Sequence, residues 1–264
     1  MSKEGDSMGF PEYTADCPQG VFETIITVTD EMTDEYGMMR IGNLARVMET
    51  MTESHLSAYG LSREELQEEG KIWVIAWTSV EIEEIPKKGM KVLCRIWPGK
   101  NKAMMYTRRY AFYTPDGKPL ACASSLFILM DQQRRTAAAS SPKIGAIPIV
   151  ALDGEPALPK MRVSFPEADY IHRERIVRPE EIDRNGHLNN THYLDWAESL
   201  PGDSVFRLRI PKKVWVQYSR ELKEGQRVDL QYACAENTLY LRGISDGAEA
   251  FALTMEFPPV SPFV

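Results

Sequence analysis

The sequence predicts an α+β protein that repeats one plan twice, each copy being a curled antiparallel sheet around a single helix. Three observations predict it: segments of the first half recur in order in the second half, each half holds one amphipathic helical segment, and strand-like segments follow that helix. One helix can cover the apolar face of an antiparallel sheet only if the sheet curls around it. This arrangement is a hot-dog domain, and two in one chain make a double hot-dog.

The duplication is indicated by three pairs of matching segments. Residues 34–39 (DEYGMM) match 183–188 (DRNGHL), and residues 80–92 (VEIEEIPKKGMKV) match 216–228 (VQYSRELKEGQRV). The Asp-Gly pair at 116–117, followed by ACASSLF, matches the Asp-Gly pair that precedes AFALTMEF. Three matches in the same order indicate an internal duplication.

In the first copy, composition predicts a strand over 21–29, and apolar residues at helical spacing predict a helix over 41–59 that ends before Gly60. Further strands are predicted over 72–82, 91–97, 104–113 and 120–129, and a Pro-Asp-Gly turn joins the last two as a hairpin.

The second copy repeats this order, with a strand over 170–178, a helix over 190–200, and strands over 213–222, 226–234, 238–244 and 248–257. The stretch 136–165 is rich in Ala, Ser and Pro and lacks periodicity, which is typical of a linker. The predicted division is therefore an N-terminal domain over 1–135, a linker over 136–165 and a C-terminal domain over 166–264.

Composition narrows the function classes. Of 264 residues, 43% are hydrophobic and 26% charged, as in folded globular proteins, and the net charge of −7 disfavours binding to nucleic acid or to anionic membranes. The four cysteines form no CxxC pair, so neither a zinc knuckle nor a disulfide framework is expected. Without a signal sequence or an apolar run of ~20 residues, we expect a soluble cytoplasmic protein.

Residues 183–198 (DRNGHLNNTHYLDWAE) form the most informative segment. They resemble the D-x-N-x-H-x-N-N-x-x-Y-x-x-W pattern of acyl-carrier-protein (ACP) thioesterases, the plant plastid enzymes and their bacterial relatives. Residues 72–89 (IWVIAWTSVEIEEIPKKG), 117–135 (GKPLACASSLFILMDQQRR) and 217–221 (QYSRE) are similar to further segments of that family. The resemblance covers about residues 20–257 and implies hydrolysis of fatty acyl-ACP to free fatty acid, without a cofactor.

The resemblance implies four catalytic residues, Asp183, Asn185, His187 and Glu221, and three that bind substrate, Gly186, Asn189 and Asn190. The chemistry agrees with this, because a carboxylate, an amide donor and an imidazole can activate water, bind a carbonyl oxygen and move a proton. Gly186 lets the backbone approach a substrate, and the N–H groups at the start of the following helix suit an oxyanion. Whether Asp183 or Glu221 activates the water is left open.

One position departs from the family. The residue after Glu221, often Cys in the plant enzymes, is Leu222 here, which excludes a cysteine nucleophile at this site and favours attack by water or a carboxylate route.

The first copy is an internal control, because it has Tyr36 and Met38 where the second has Asn185 and His187. Asp34 is retained, but without an adjacent amide and imidazole it has no proton relay. We therefore predict a first domain without catalysis that holds the acyl chain, with an adaptable lining from the methionines at 38, 39, 48 and 51.

The other histidines are weaker candidates. His192 and Asp195 are expected to form a surface contact, His55 to be structural, and His172 to have no partner. No group of residues has the spacing of a metal site.

Carrier recognition is expected to depend on local basic residues, because both an acyl carrier protein and this chain are acidic. The predicted docking group follows the second helix and consists of Arg207, Arg209, Lys212 and Lys213. Two other functions stay open: an acyl-CoA thioesterase of the same fold, and a non-catalytic acyl-binding protein. A hydratase is disfavoured, since its D-x-N-P-x-H pattern places His five residues after Asp rather than four. The sequence does not determine chain length or whether the protein is a monomer or a homodimer.

Overall fold

The computed structural model describes residues 17–100, 104–138, 140, 142–150, 163–200 and 210–259. In the first half the elements are, in order, β1 (Phe22–Thr27), α1 (Ile41–Ser57), α2 (Arg63–Glu68), β2 (Lys71–Ile82), β3 (Lys91–Pro98), β4 (Met105–Tyr113), β5 (Pro119–Asp131) and α3 (Pro142–Gly145). In the second half they are β6 (Ile171–Ile176), α4 (His192–Ser199), β7 (Lys213–Tyr218), β8 (Arg227–Ala235), β9 (Thr238–Ser245) and β10 (Ala248–Glu256).

The ten strands form one antiparallel sheet in the order β1-β3-β4-β5-β2-β7-β10-β9-β8-β6. From either edge toward the centre, the sheet contains the first, third, fourth, fifth and second strand of one half. The strands β1 to β5 therefore correspond in order to β6 to β10. The halves meet where β2 pairs with β7, with Trp77 opposite Gln217 and Glu81 opposite Lys213. This symmetry agrees with the predicted duplication.

The two long helices, α1 and α4, contact each other across the junction between the halves. A Cβ on Gly42 would lie 2.0 Å from Asp195 Oδ1, so a larger residue there would displace the Asp195 carboxylate from its present position. Arg46 of α1 forms an ion pair with Asp195 of α4. The carboxylate of Glu198 accepts hydrogen bonds from the N–H groups of Ile41 (2.9 Å) and Gly42 (3.2 Å), so α4 supplies the cap at the start of α1.

The main core joins both halves, because its buried side chains come from α1, α4 and strands of each half. Trp196 of α4 is fully buried and packs against Phe251 of β10, with ring centroids 6.2 Å apart. A second core lies under α2 and includes Leu61, Leu66 and Leu129. No helix in the described ranges is long and apolar enough to cross a membrane.

Several element boundaries differ from the prediction. The prediction omitted α2, although Ser62 and Glu65 form a capping box, a local signal that the sequence carries. The strand predicted to reach residue 222 ends at Tyr218, because the N–H groups of Ser219 and Arg220 both donate to the carbonyl of Ala250 and break the ladder. The predicted linker contains α3, and the rest of it lies partly outside the described residues.

Candidate active site

The turn at 183–187 is organised by the Asp183 carboxylate. Its Oδ1 accepts hydrogen bonds from the N–H groups of Asn185 (2.7 Å) and His187 (3.1 Å), and the Asp183 N–H donates to the carbonyl of His187 (2.7 Å). Gly186 has φ +79°, a conformation that L side chains rarely adopt, while a Cβ there would meet no atom within 4 Å. The positive φ, rather than a lack of space for a side chain, therefore explains the glycine at this position.

The side chains of this turn point to two acceptors. Asn185 Nδ2 donates to Asp183 Oδ2 (3.2 Å), and His187 Nε2 lies 3.2 Å from Glu221 Oε2. Glu221 comes from the segment after β7, which is joined to the turn because the Leu188 N–H donates to the carbonyl of Leu222 (2.7 Å). The structure therefore brings the four predicted catalytic residues together as two adjacent pairs.

Arg135 is a site residue that the sequence reasoning missed. It follows β5 of the first half, and its Nη2 forms an ion pair with Glu221 Oε1, so Glu221 lies between Arg135 and His187. The turn that presents it is held by Asp131 Oδ1, which accepts from the N–H groups of Gln133 (3.0 Å) and Arg134 (2.7 Å). Local sequence carries no signal for a contact that joins residues 86 positions apart.

Glu49 of α1 is a second residue that the sequence reasoning missed. Both of its carboxylate oxygens lie 3.1 Å from Asn189 Nδ2. Burial raises the pKa of Glu49, and the nearby carboxylates of Glu53 and Asp183 raise it further. The other end of the Asn189 amide accepts from the N–H (2.8 Å) and hydroxyl (2.7 Å) of Thr191. The Asn189 side chain is thus bound to the protein at both ends.

The start of α4 has fewer free N–H groups than predicted. The Thr191 N–H donates to Asn189 Oδ1 and the His192 N–H donates to the Asn189 carbonyl (3.0 Å), so two of the N–H groups expected to be free are engaged. The carbonyl of Asn190 accepts from the hydroxyl of Tyr218 (3.3 Å).

A cavity of about 460 Å³ leads from this turn into the first half, a volume typical of small-molecule sites. Asp183, Asn185 and Asn190 line one part of it, while His187 and Glu221 do not line it. Its apolar wall comes from α1, α2, β2 and β5 and includes Leu56, Leu61, Leu66, Trp73 and Phe127. Of the four methionines predicted to line an acyl pocket, Met48 does so, whereas Met38, Met39 and Met51 do not.

The remaining histidines are accounted for by protein contacts. His192 Nδ1 lies 2.8 Å from Asp195 Oδ2, as predicted, and Arg46 shares that carboxylate. His55 is buried beside the Arg108 guanidinium (2.8 Å); burial and this charge lower its pKa to about 4. The prediction for His172 was wrong, because its Nδ1 lies 2.9 Å from Asp229 Oδ2 on the paired strand β8.

None of the four cysteines lines the cavity beside the turn at 183–187. Cys94 and Cys122 are buried in β3 and β5, and burial raises the pKa of each thiol to about 12. Cys17 and Cys234 are exposed, and burial of part of each side chain still raises the pKa of each. Leu222, in the position where a cysteine nucleophile was considered, is a buried core residue.

Half of the predicted docking group lies outside the described residues, namely Arg207 and Arg209. Lys212 Nζ donates to the carbonyl of Glu83 (2.7 Å), and Lys213 begins β7 opposite Glu81. Tyr218 ends β7 beside the turn at 183–187, and Lys213 lies at the opposite end of this strand, roughly 17 Å away at about 3.4 Å per residue.

Two protein-family models match this chain. The family model of the acyl-ACP thioesterase N-terminal domain matches residues 19–147, and that of the acyl-ACP thioesterase C-terminal domain matches residues 166–251. The chain belongs to the acyl-ACP thioesterase family. The turn at 183–187 thus lies in the part that matches the C-terminal domain of that family, and most of the cavity lining lies in the part that matches the N-terminal domain.

Individual members of the family are distant relatives. The chloroplastic dodecanoyl-ACP hydrolase of Cinnamomum camphora is 26% identical over 205 residues, which are 71% of this chain and 53% of that protein. The chain therefore spans about half the length of the curated relatives it matches.

Solved structures confirm the double hot-dog fold. An acyl-ACP thioesterase of Bacteroides thetaiotaomicron has a TM-score of 0.81 at 17% identity, covering 90% of this chain and 98% of that one. The 12:0-ACP thioesterase of Umbellularia californica has a TM-score of 0.79 at 21% identity, covering 93% of this chain and 100% of that one.

Proposed function

We propose that this chain hydrolyses fatty acyl-ACP thioesters to free fatty acid and ACP. The observation that carries the proposal is the pairing of His187 with Glu221 beside the Asp183–Asn185 pair, next to a cavity with an apolar wall, in a chain of the acyl-ACP thioesterase family. The named activities of the relatives, hydrolysis of dodecanoyl-ACP and of palmitoyl-ACP, support the choice of substrate.

The two halves are assigned different tasks. The first half holds the acyl chain, because most residues that line the cavity belong to α1, α2, β2 and β5. The second half supplies the chemistry, because the turn with Asp183, Asn185 and His187 opens beside that cavity. Arg135 is the exception, a residue of the first half that contacts Glu221.

In the proposed mechanism, His187 is the base. When its Nε2–H donates to Glu221, the lone pair lies on Nδ1, which can take a proton from water. The resulting hydroxide attacks the thioester carbon, the C–S bond breaks, and the same imidazole returns the proton to the departing thiolate. Glu221, bound by Arg135, orients the imidazole and stabilises its charged form.

Asn185 is assigned to the oxyanion. Its Nδ2 carries two hydrogens, of which one donates to Asp183 Oδ2 (3.2 Å) and the other can donate to the thioester oxygen. Asp183 then has two tasks: its Oδ1 holds the turn, and its Oδ2 orients the Asn185 amide.

The test is hydrolysis by the purified chain, followed as release of free thiol. Saturated acyl-ACP of several chain lengths is compared with the matching acyl-CoA. A higher kcat/KM on acyl-ACP supports the proposal, a higher value on acyl-CoA would establish the alternative carrier, and tight binding of both without turnover would refute hydrolysis. The double variant Asn185→Ala/His187→Ala is the control for a contaminating thioesterase.

A further inference from the structure

Five hydroxyl groups line one wall of the cavity, on four neighbouring strands and on α1. We call them the hydroxyl row: Tyr218, Thr78, Ser125, Tyr110 and Thr52. The row begins next to the catalytic turn, where the Tyr218 hydroxyl donates to the Asn190 carbonyl (3.3 Å). At its other end, the Thr52 hydroxyl donates to the Met48 carbonyl (2.8 Å). A cavity that held only hydrocarbon would gain nothing from such a wall.

The centre of the row is the pair of Thr78 and Ser125. They lie opposite each other on β2 and β5 with their Oγ atoms 3.1 Å apart, and they are 4% and 1% exposed. A bulge in β2 between Ile75 and Trp77 shifts the alternation of side chains, so that Ile75 and Thr78 both line the cavity. The fold thus places two buried hydroxyls on a wall where regular alternation would not place Thr78.

Counting protons shows what this pair can bind. The Thr52 proton goes to Met48, so Tyr110 must donate to Thr52 (2.7 Å), and the Tyr218 proton goes to Asn190. The two protons of the central pair then serve three contacts: Thr78 with Ser125, Thr78 with the Tyr218 phenol, and Ser125 with the Tyr110 phenol. The row therefore has one contact more than it has protons, and it can accept a hydrogen bond from a ligand.

The cavity also has a buried donor outside the hydroxyl row. The indole Nε1 of Trp73, which lies on β2 and lines the cavity, is buried and has no hydrogen-bond partner among the residues that the structure describes. Buried polar groups in folded proteins are normally paired with protein or water, so this indole is a second polar point of the cavity wall. It lies five positions from Thr78 on β2, roughly 16 Å along the strand, and is separate from the hydroxyl row.

We propose that the acyl chain this site accepts carries a hydroxyl group near the thioester, as in a 3-hydroxyacyl chain, and that the Thr78–Ser125 pair binds it. A hydroxyl can donate, so it can supply the proton that the row lacks to an oxygen of the Thr78–Ser125 pair. The hydroxyl belongs near the thioester because the row begins beside Asn190, at the catalytic turn. This inference rests on the proposed function.

The experiment compares 3-hydroxyacyl-ACP with saturated acyl-ACP of the same chain length. We expect kcat/KM for the hydroxylated chain to be about tenfold higher, the ratio that one good hydrogen bond produces. Thr78→Val and Ser125→Ala should each lower kcat/KM more for the hydroxylated chain than for the saturated one, so that the ratio of the two values falls toward one. Thr107→Val, at a buried threonine of β4 that does not line the cavity, is the matched control.

A wild-type preference for the saturated chain, or an equal loss on both chains in the variants, would overturn the inference. If neither chain is hydrolysed, the proposed function fails, and the inference is then decided by affinity. Binding of the free 3-hydroxy acid and of the matching saturated acid is measured on the same variants. Tighter binding of the hydroxy acid that is lost in Thr78→Val supports the inference, and equal binding refutes it.

Discussion

The turns at 34–38 and 183–187 have the same backbone and different chemistry. In each, an aspartate Oδ1 accepts from the N–H groups two and four residues on: 2.9 and 2.9 Å for Asp34, 2.7 and 3.1 Å for Asp183. In each, the glycine has a positive φ, +74° at Gly37 and +79° at Gly186. The aspartate and the glycine therefore specify the turn, whether or not it has catalytic neighbours.

Besides Glu35 and Arg184, the two turns differ at two positions, and a third difference lies in the segment that each turn contacts. Tyr36 stands in place of Asn185, Met38 in place of His187, and Ile85, which is 1% exposed, in place of Glu221. The carbonyls of Pro86 and Leu222, which follow the last pair, accept the equivalent backbone hydrogen bonds from Met39 (2.8 Å) and Leu188 (2.7 Å). The comparison teaches that one scaffold holds both turns and that three side chains separate a structural turn from a candidate catalytic one.

The largest effect is expected at the two positions within the second-half turn. Asn185→Ala should lower kcat roughly 100- to 1,000-fold through a lost oxyanion donor, and His187→Ala roughly 100- to 10,000-fold through a lost base. The matched changes in the first half, Tyr36→Ala and Met38→Ala, should leave kcat within about twofold, since surface or partly buried substitutions act mainly on stability. The measurement is kcat for acyl-ACP hydrolysis by the four variants. A large loss of kcat in either first-half variant would show that the first-half turn also takes part in catalysis.

Variants of Asp34 and Asp183 can distinguish the structural role of the turn aspartate from its role in orienting Asn185. Asp183→Asn and Asp34→Asn both keep an Oδ1 that can accept from the turn, so both variants should unfold at nearly the wild-type temperature. Only Asp183→Asn should lower kcat, by up to roughly 100-fold, because the Asn185 amide loses the carboxylate that orients it. Thermal unfolding and kcat are measured on both, and equal kcat losses would show that the turn itself was damaged.

Arg135 tests whether the first half contributes to the second-half site. Arg135→Gln should lower kcat about tenfold, because a hydrogen bond to a charged group contributes on the order of 1.5 kcal/mol or more. Arg135→Lys should restore part of the loss by keeping the charge. Arg134→Gln, at the neighbouring exposed position, is the control. A change in KM alone, with kcat and its pH profile unchanged, would show that Arg135 does not act through Glu221 and His187.

The helix starts differ in a way that predicts a pH effect. Thr191, at the start of α4, is bound by Asn189 from its own half, whereas α1 begins at the Glu198 carboxylate of the other half. Burial raises the pKa of Glu198 to about 7, although the two N–H groups it binds oppose this. The folded state therefore holds a proton that the unfolded state releases above about pH 4.5, so stability falls as pH rises from 4.5 to 7.

In Glu198→Gln this dependence should disappear. The difference in unfolding free energy between wild type and variant should shift by up to about 3 kcal/mol in favour of the variant between pH 4.5 and pH 8. Denaturant unfolding at several pH values measures it. Parallel stability curves for the two proteins would mean that Glu198 does not change its protonation in this window.

The smallest effect is expected from the basic residues at the far end of β7. Lys212→Glu with Lys213→Glu should raise KM for acyl-ACP and leave a short carrier-free thioester unaffected, if this region docks the carrier. Because Lys213 lies at the opposite end of the strand from Tyr218, we expect a change of only about two- to threefold, and salt should weaken the wild type similarly. An unchanged KM would show that Lys212 and Lys213 do not dock the carrier.

The sequence by itself determined the duplication, the turn and the residues grouped on it. Asp183, Asn185, Gly186 and His187 are adjacent in the chain, and their hydrogen bonds join residues no more than four positions apart. The capping box of α2 was equally local, and could have been predicted from Ser62 and Glu65. Such features follow from sequence because a short segment can make all of their contacts alone.

The tertiary structure alone decided which distant groups complete the site. Arg135 reaches Glu221 across 86 positions, and Glu49 reaches Asn189 across 140. The hydroxyl row joins β7 to β2, β5 and β4, which are neighbours only because the two halves pair at β2 and β7. No local pattern specifies these contacts, since they depend on sheet order, on the bulge in β2 and on the close approach of α1 to α4 at Gly42.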